Sequence, residues 1–471
     1  MTIDHEKASR LVEDRYLSLL SRYTVNAPAP STTAAHEVAR RVTDSIGVMA
    51  AALDDDAPNA ARAMATQFVL PEGATIFGSG IRSTPELAGF ANGVHVRYLD
   101  FNDTYLSREP LHPSDAIPAL VALGEWAGKS GQQVVESIAI AYQVGIALCD
   151  AASPRAHGWD HVVYITIATA CGAARLLKLS AEQTAHAIAV AIVPHSAMRE
   201  TRSGELSMWK GAAAANAARH GVFGALLARE GFTGPQHAFT GLMGVVAQIF
   251  EGQPIDDDAL MSLSVHISPD RILDSYIKKY PVEYHAQSAV DVALGLHSQI
   301  SDPAIISDVQ IDTFQASYEI IAADAEKWHP RTRETADHSL PYIVAVALLD
   351  GSVTRDSFSP ERIADPRVQQ LLARTTLRSD PELSALYPAG GIPNRITVHL
   401  ANGRRIQSQE RFPRGHAGNP MEDDEVRAKF RTNMAGWQDE DATGRLLDLC
   451  WHIHDLADLR MLTAAWPVYH P

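Results

Sequence analysis

Cysteine is scarce in this chain, and basic charge is in deficit. Only three cysteines occur in 471 residues, at Cys149, Cys171 and Cys450, and no two form a CxxC pair. Zinc ribbons and four-cysteine iron–sulfur clusters are therefore not expected. Lys and Arg number 40 against 56 Asp and Glu, a formal net charge of −16. Nucleic-acid binding needs the opposite balance. An anionic ligand would need a local cluster of cations working against this field. No uncharged apolar run reaches membrane-spanning length, and Met1-Thr-Ile-Asp-His-Glu-Lys lacks the apolar stretch of a leader peptide. Together with unpaired thiols, these features lead us to expect a cytoplasmic protein without membrane or nucleic-acid partners.

Apolar residues make up 46% of the chain, and the length exceeds one ordinary core, so two domains are expected. Apolar residues recur at helical spacing over Ala35–Leu53, Leu120–Gly128, Val134–Asp150 and Val162–Leu179. Ser180-Ala-Glu-Gln starts a further helix reaching about Val193, and Trp209–Arg229 forms a long one stopped by Gly231 and Pro235. The pattern changes near Ile267. Asp308–Phe314 alternates like a strand, and Asn394–Leu400 with Arg405–Glu410 reads as a hairpin around Asn402-Gly403. A helix is expected from about Arg333 to Leu349, and helix returns at Glu422–Phe430 and Leu446–Leu456. The fold class implied is mainly α. A large helical domain (1–269 and 414–471) carries an inserted, smaller α+β lid (270–413).

Six segments concentrate chemistry-bearing side chains. Leu99–Asp115 gathers Asp100, Asn102, Asp103, Thr104, His112, Ser114 and Asp115, with Pro110 and Pro113 bracketing the histidine. A helix cap explains Ser114-Asp115 equally well when the segment is taken alone. Arg199, Arg202 and Lys210 precede or open the Trp209 helix, a place suited to a carboxylate or phosphate. Ser207-x-x-Lys210 also fits the short acyl-enzyme pattern, but no Lys-Thr-Gly accompanies it. His157 and His161 lie four apart, yet Gly158 and the missing glutamate argue against zinc and for acid–base use. Lys278–His285 offers cations and phenols at the junction between domains, and Thr332–Tyr342 places His338 ahead of a helix. Arg414–Pro420 is a glycine-containing turn.

These segments, in this order, resemble the MmgE/PrpD family, whose members include 2-methylcitrate dehydratase, cis-aconitate decarboxylase and related lyases. The matching pieces are Leu99–Asp115, Gly158–His161, Gly204–Gly211, Lys279–His285, Glu334–Tyr342 and the Gly415–Pro420 turn. The resemblance implies a helical domain with an α+β lid, a homodimer, and chemistry without metal or organic cofactor. It places Asp100, His112, His161, Lys210 and Tyr342 in catalysis, Thr104 at the substrate, and Lys279 and His285 as lid residues that bind it; Arg199 and Arg202, as cations near a helix start, are further candidates to neutralise the substrate carboxylates. The eight-residue step from Thr104 to His112, with Asp115 after the serine, looks like the bacterial dehydratase branch. The expected reaction is dehydration of 2-methylcitrate or citrate to the corresponding cis-aconitate, with His112 and His161 sharing base and acid roles. Asp100 would orient one imidazole, and Tyr342 would donate to the departing hydroxyl or a carboxylate. Decarboxylation of cis-aconitate and epimerisation of a small dicarboxylate are the alternatives within this chemistry. A non-catalytic carboxylate-binding protein is the alternative outside it.

Overall fold

A computed structural model describes residues 13–265 and 267–469. The body is built from α1 (Thr32–Ala51), α2 (Pro85–Tyr98), α3 (Ile117–Trp126), α4 (Gly131–Ala151), α5 (Val162–Leu177), α6 (Ala181–Ile192) and α7 (Trp209–Arg229). Helix α4 packs on α5, α5 on α7, and α7 on both α2 and α6. Small residues set these spacings. A Cβ on Gly93 would come 2.8 Å from the Ala215 Cβ, and one on Gly221 would come 2.7 Å from the Thr169 Cβ. The alanine run of α7 is thus a close-packing surface, which a larger side chain would force apart. Helix α4 is long and apolar enough to cross a membrane by composition, but 89% of its most apolar window is buried inside the protein.

The helix starts follow their sequence signals. Ser130 with Gln133 and Ser180 with Gln183 form reciprocal capping boxes at α4 and α6. Trp209–Arg229 has the bounds expected from its periodicity, and Gly231 beyond it takes a φ of +86°.

A second hydrophobic core, separate from that of the body, draws on residues from Tyr280 to Ile406. It lies between α8 (Gln287–His297), α9 (Leu340–Asp350) and a four-stranded sheet of β1 (Ile306–Thr313), β2 (Thr375–Ser379), β3 (Asn394–Leu400) and β4 (Arg405–Glu410). The strand order is β2-β1-β3-β4. β1 pairs parallel to β2 and antiparallel to β3, and β3 and β4 form the hairpin in register Asn394↔Glu410 to His399↔Arg405. Gly403 in its turn has a φ of +82°. The chain then returns to the body. α10 (Asp423–Met434) and α11 (Glu440–Trp451) pack on α1.

One difference from the sequence expectation matters for the site. The helix expected from Arg333 to Leu349 is two pieces, Arg333–Ala336 and Leu340–Asp350. Ser339 caps the second, its hydroxyl accepting from the Tyr342 amide at 3.2 Å, and Pro341 sits in its first turn. This restart leaves Asp337 and His338 in the gap between helices, where their side chains turn toward the body.

Candidate active site

Asp100 is the centre around which the site is built. It follows the end of α2 and adopts a φ of +50°, a left-handed conformation that Asp tolerates better than most residues. The strain of about 1–3 kcal/mol that such a backbone stores is offset by what the carboxylate binds. Arg97 donates to Asp100 Oδ1 at 2.6 Å, and Lys278 Nζ donates to the same oxygen at 2.7 Å and to the Asp100 carbonyl at 2.9 Å. Lys210 Nζ donates to Oδ2 at 3.3 Å, and His338 Nε2 lies 3.1 Å from that oxygen. Arg97, Asp100, Lys210 and Lys278 are buried, and the His338 side chain is 12% exposed toward the cavity. Burial alone would raise the Asp100 carboxyl, but Arg97, Lys210, Lys278 and His338 outweigh it and hold it well below the usual carboxylate range. Burial pushes both lysines below their ordinary values, with Asp100 opposing the shift.

Each element delivers its residue for a local reason. Lys210 lies in the first turn of α7 and points inward, whereas Ser207 is exposed; the Ser-x-x-Lys residues thus face different environments. Lys278 and Lys279 lie between the body and the lid core, and their side chains take opposite environments. Lys278 is buried and Lys279 exposed, its ammonium 5.5 Å from the Tyr280 ring centroid. The cation expected at Lys279 is supplied by its neighbour. Lys429 of α10 donates to the carbonyls of Lys278 (2.7 Å) and Phe101 (3.0 Å) and pairs with Asp44, tying the returning chain to the site.

Two histidines face each other across the cavity on the body side, ring centroids 5.9 Å apart. His112 Nδ1 lies 2.6 Å from the Asp103 carbonyl oxygen, which can only accept, so Nδ1 carries the proton and Nε2 is left with its lone pair. Thr104 Oγ1 is 3.0 Å from the same nitrogen. Burial, reinforced by Arg97 and Lys278, pushes the His112 pKa well down, so the ring is neutral. Asp100 lies 3.9 Å from Nε2, outside hydrogen-bond range; its closest partners are instead the cations and His338. His161 Nδ1 is 3.2 Å from Asp160, and Arg202 reaches its Nε2 at 3.5 Å. Burial and Arg202 bring His161 down to about 3. A neutral His161 donating through Nδ1 has no proton on Nε2 to give, which argues against the acid role expected for it.

Above these groups is a cavity of about 650 Å³ between body and lid. Arg97, Asp100, Thr104, His112, His161, Lys210 and His338 line it, together with Arg155, Arg199, Arg202, Lys327 and Leu206. His285 also lines it, but both its nitrogens are engaged, by Glu283 at 2.7 Å and by the Tyr387 hydroxyl at 3.2 Å. Tyr342 does not reach the cavity. It is fully buried in the lid core, its ring 6.0 Å from Phe358 and its hydroxyl donating to the Ser357 carbonyl at 2.7 Å. The restart at Ser339 is the cause: it points Tyr342 into the lid and leaves the histidine four residues earlier at the cleft. His157 lies against Phe250 and 3.8 Å from Glu251, while His161 faces the cavity.

The sequence reading missed Arg97, Lys278, Arg155, Lys327 and the role of Asp337-His338. An Asp-His dipeptide ahead of a Ser-x-Pro helix start was the available signal for the last. Asp100, Asp337 and His338 do bring ligand atoms within 4.8 Å of one another. Arg97, Lys210 and Lys278 already surround that carboxylate, however, and a divalent cation there would meet three positive charges. The charge pattern fits an anion. Burial pushes Asp115, beside Arg97, up to about 7, and Asp337 up to about 6. Three buried cations, Arg97, Lys210 and Lys278, thus share the one carboxylate of Asp100.

Comparison with known proteins agrees with this architecture. Residues 18–258 match the MmgE/PrpD N-terminal domain and residues 280–453 the MmgE/PrpD C-terminal domain. A 2-methylcitrate dehydratase of Cupriavidus necator is 30% identical over 393 residues, covering 78% of each chain. One from Salmonella typhimurium is 29% identical over 412 residues, covering 81% of this chain and 82% of its own. An alkylcitrate dehydratase from a fungal species is 26% identical over 428 residues, covering 83% and 82%. With both domain families matched across the helical body and the lid that enclose this cationic cleft, the chain belongs to the MmgE/PrpD family.

Proposed function

We propose that the protein is a hydro-lyase that dehydrates 2-methylcitrate or a closely related citrate. The carrying observation is the excess of buried cations around Asp100, beside a neutral imidazole whose lone pair faces the cavity. A tricarboxylate brings the missing negative charge. At about 4 Å and an effective dielectric near 20, each added ion pair is worth roughly 4 kcal/mol before desolvation. The relatives named as 2-methylcitrate dehydratases support the same substrate class.

In this reading His112 Nε2 takes the proton α to a carboxylate. Lys210, Lys278 and Arg97 stabilise the charge that builds on that carboxylate as the proton leaves. Thr104 and the Asp103 carbonyl hold the His112 ring in its tautomer. Arg199 and Arg202, with Arg155, bind the remaining carboxylates at the wall. The 270–413 lobe acts as a lid that carries Lys278, His285 and His338 to the substrate and excludes water. A cytoplasmic homodimer is part of the proposal. Met198, Met208, Trp209 and Phe223 are exposed on or beside α7 and offer apolar area to a second copy. Light scattering that gives the mass of one chain removes the dimer.

The deciding experiment incubates the protein separately with 2-methylcitrate, citrate and cis-aconitate and follows products by NMR. Unsaturated tricarboxylate from the first two is expected. Itaconate from cis-aconitate, with no dehydration, would transfer the assignment to decarboxylation.

A further inference from the structure

We propose that His338 is the general acid that protonates the departing hydroxyl, and that Asp337 resupplies its proton. This rests on the dehydratase reading above and assigns the half of the reaction that His112 does not perform.

The geometry comes from the lid. His338 lines the cavity and bridges two carboxyl groups: Nε2 is 3.1 Å from Asp100 Oδ2, and Nδ1 is 2.5 Å from Asp337 Oδ1. A neutral imidazole has one N–H, so it satisfies both contacts only if one carboxyl keeps its own proton. Asp100 is surrounded by Arg97, Lys210 and Lys278, so it is the ionised member and accepts from Nε2–H. Asp337 is the protonated member and donates to Nδ1. Its Oδ2 is buried without a hydrogen-bond partner, and the Lys210 ammonium stands 3.9 Å from its Oδ1. Burial accordingly raises the Asp337 carboxyl and lowers the His338 imidazole, two shifts in the directions this proton placement requires. The groups that face His338 are Asp100, Lys210, Lys327, Glu283 and Asp337. Of these, Asp337 alone is both in hydrogen-bond contact with the ring and raised toward neutral pH.

The step balances. The substrate C–O bond breaks and its electron pair leaves with oxygen. That oxygen takes the proton from His338 Nε2, giving water. Nδ1 takes the proton of the Asp337 carboxyl, so the imidazole ends neutral and Asp337 ends as a carboxylate. The α-proton removed by His112 restores the proton count through solvent. Asp100 already has three cationic partners, so its contact with Nε2–H is the one that a substrate oxygen can displace without leaving a buried charge unpaired.

The test uses the full-length protein in D₂O with 2-methylcitrate, following product and deuterium in recovered substrate. For His338→Gln, dehydration is expected to fall at least about 100-fold, the usual scale of a lost general acid. Exchange of the substrate α-hydrogen with solvent should persist, because His112 is intact. Asp337→Asn leaves His338 in place but unable to recharge, and should fall about tenfold with exchange retained. This second variant carries the test if the first does not fold. Dehydration within tenfold of wild type in His338→Gln, or loss of exchange in parallel with dehydration, overturns the assignment. A wild-type protein inactive on every citrate instead overturns the dehydratase reading, and the acid assignment with it.

Discussion

Two Asp-His dipeptides present their histidines to the same cleft, Asp160-His161 from the body and Asp337-His338 from the lid, and they hold their protons oppositely. In both the imidazole sits against its own buried aspartate, with Nδ1 toward the carboxyl and its pKa lowered by desolvation. The third partner makes the difference. Burial raises Asp160, but Arg202 at 3.0 Å and His161 outweigh it, and the carboxyl stays below its ordinary value. Among the described residues no guanidinium forms an ion pair with Asp337; Arg333 and Arg97 act on it only from farther off, and burial prevails, carrying it to about 6. One pair is a fixed anion with an oriented ring. The other is a proton store. Identical residues in identical order acquire different chemistry from one neighbouring charge, which is the general rule for tuned acids and bases.

The comparison hinges on Asp100, because it accepts from His338 and fixes the three cations. Asp100→Asn should produce the largest effect. Turnover should be lost, and chemical denaturation should show a destabilisation of about 3–5 kcal/mol, since buried cations are left without their anion. A protein of wild-type stability would mean that those cations are not paired in solution. His112→Gln comes next, with kcat reduced about 10²–10⁴-fold and little change in the melting temperature. Equal rates for the variant and the wild type would remove the base assignment.

Arg202→Met should make the body pair resemble the lid pair. Without the guanidinium, Asp160 rises toward neutrality, and we expect KM to increase more than kcat falls, by about tenfold, the worth of about 1.4 kcal/mol of substrate binding. An unchanged KM would show that Arg202 serves Asp160 alone.

The pH dependence of stability should have opposite slopes for the two aspartates. Asp337 binds its proton more tightly folded than unfolded, so its contribution makes stability fall as pH rises from about 4 to about 6. Asp160 binds its proton less tightly folded, so its contribution is complete above the unfolded pKa and is lost as pH falls through the lower, folded value. Urea midpoints of Asp337→Asn and Asp160→Asn minus wild type across pH 3–7 isolate each slope, and slopes of the same sign would end the contrast. The smallest effect is expected at the neighbouring position Lys279. Lys279→Ala should leave activity unchanged and shift stability by less than about 0.5 kcal/mol, because the side chain is exposed. A large loss of activity would return substrate binding to Lys279.

Most elements of the body were legible because their signals are local. Trp209–Arg229 is a continuous apolar helix bounded by glycine, and Ser180 and Gln183 announce the start of α6. The hairpin at 394–410 follows from alternation around Asn402-Gly403. The helix Pro85–Tyr98 was not anticipated, although Thr84-Pro85-Glu86 is a start signal, because its small residues give little amphipathic contrast. With it went Arg97. In the site, Asp100, Thr104, His112, His161 and Lys210 meet at one cavity as the segments suggested, whereas Lys279 and Tyr342 do not.

The sequence by itself determined the mainly helical class, the inserted α+β lobe and the stock of histidines, acids and cations, because periodicity, capping and composition act over a few residues. Only tertiary structure decided that Lys278 faces inward in place of Lys279, that His338 replaces Tyr342 at the cleft, and that two like dipeptides carry unlike charges. Those outcomes depend on which groups from distant segments share a low-dielectric space, and Coulomb energies there follow separation in space, not along the chain.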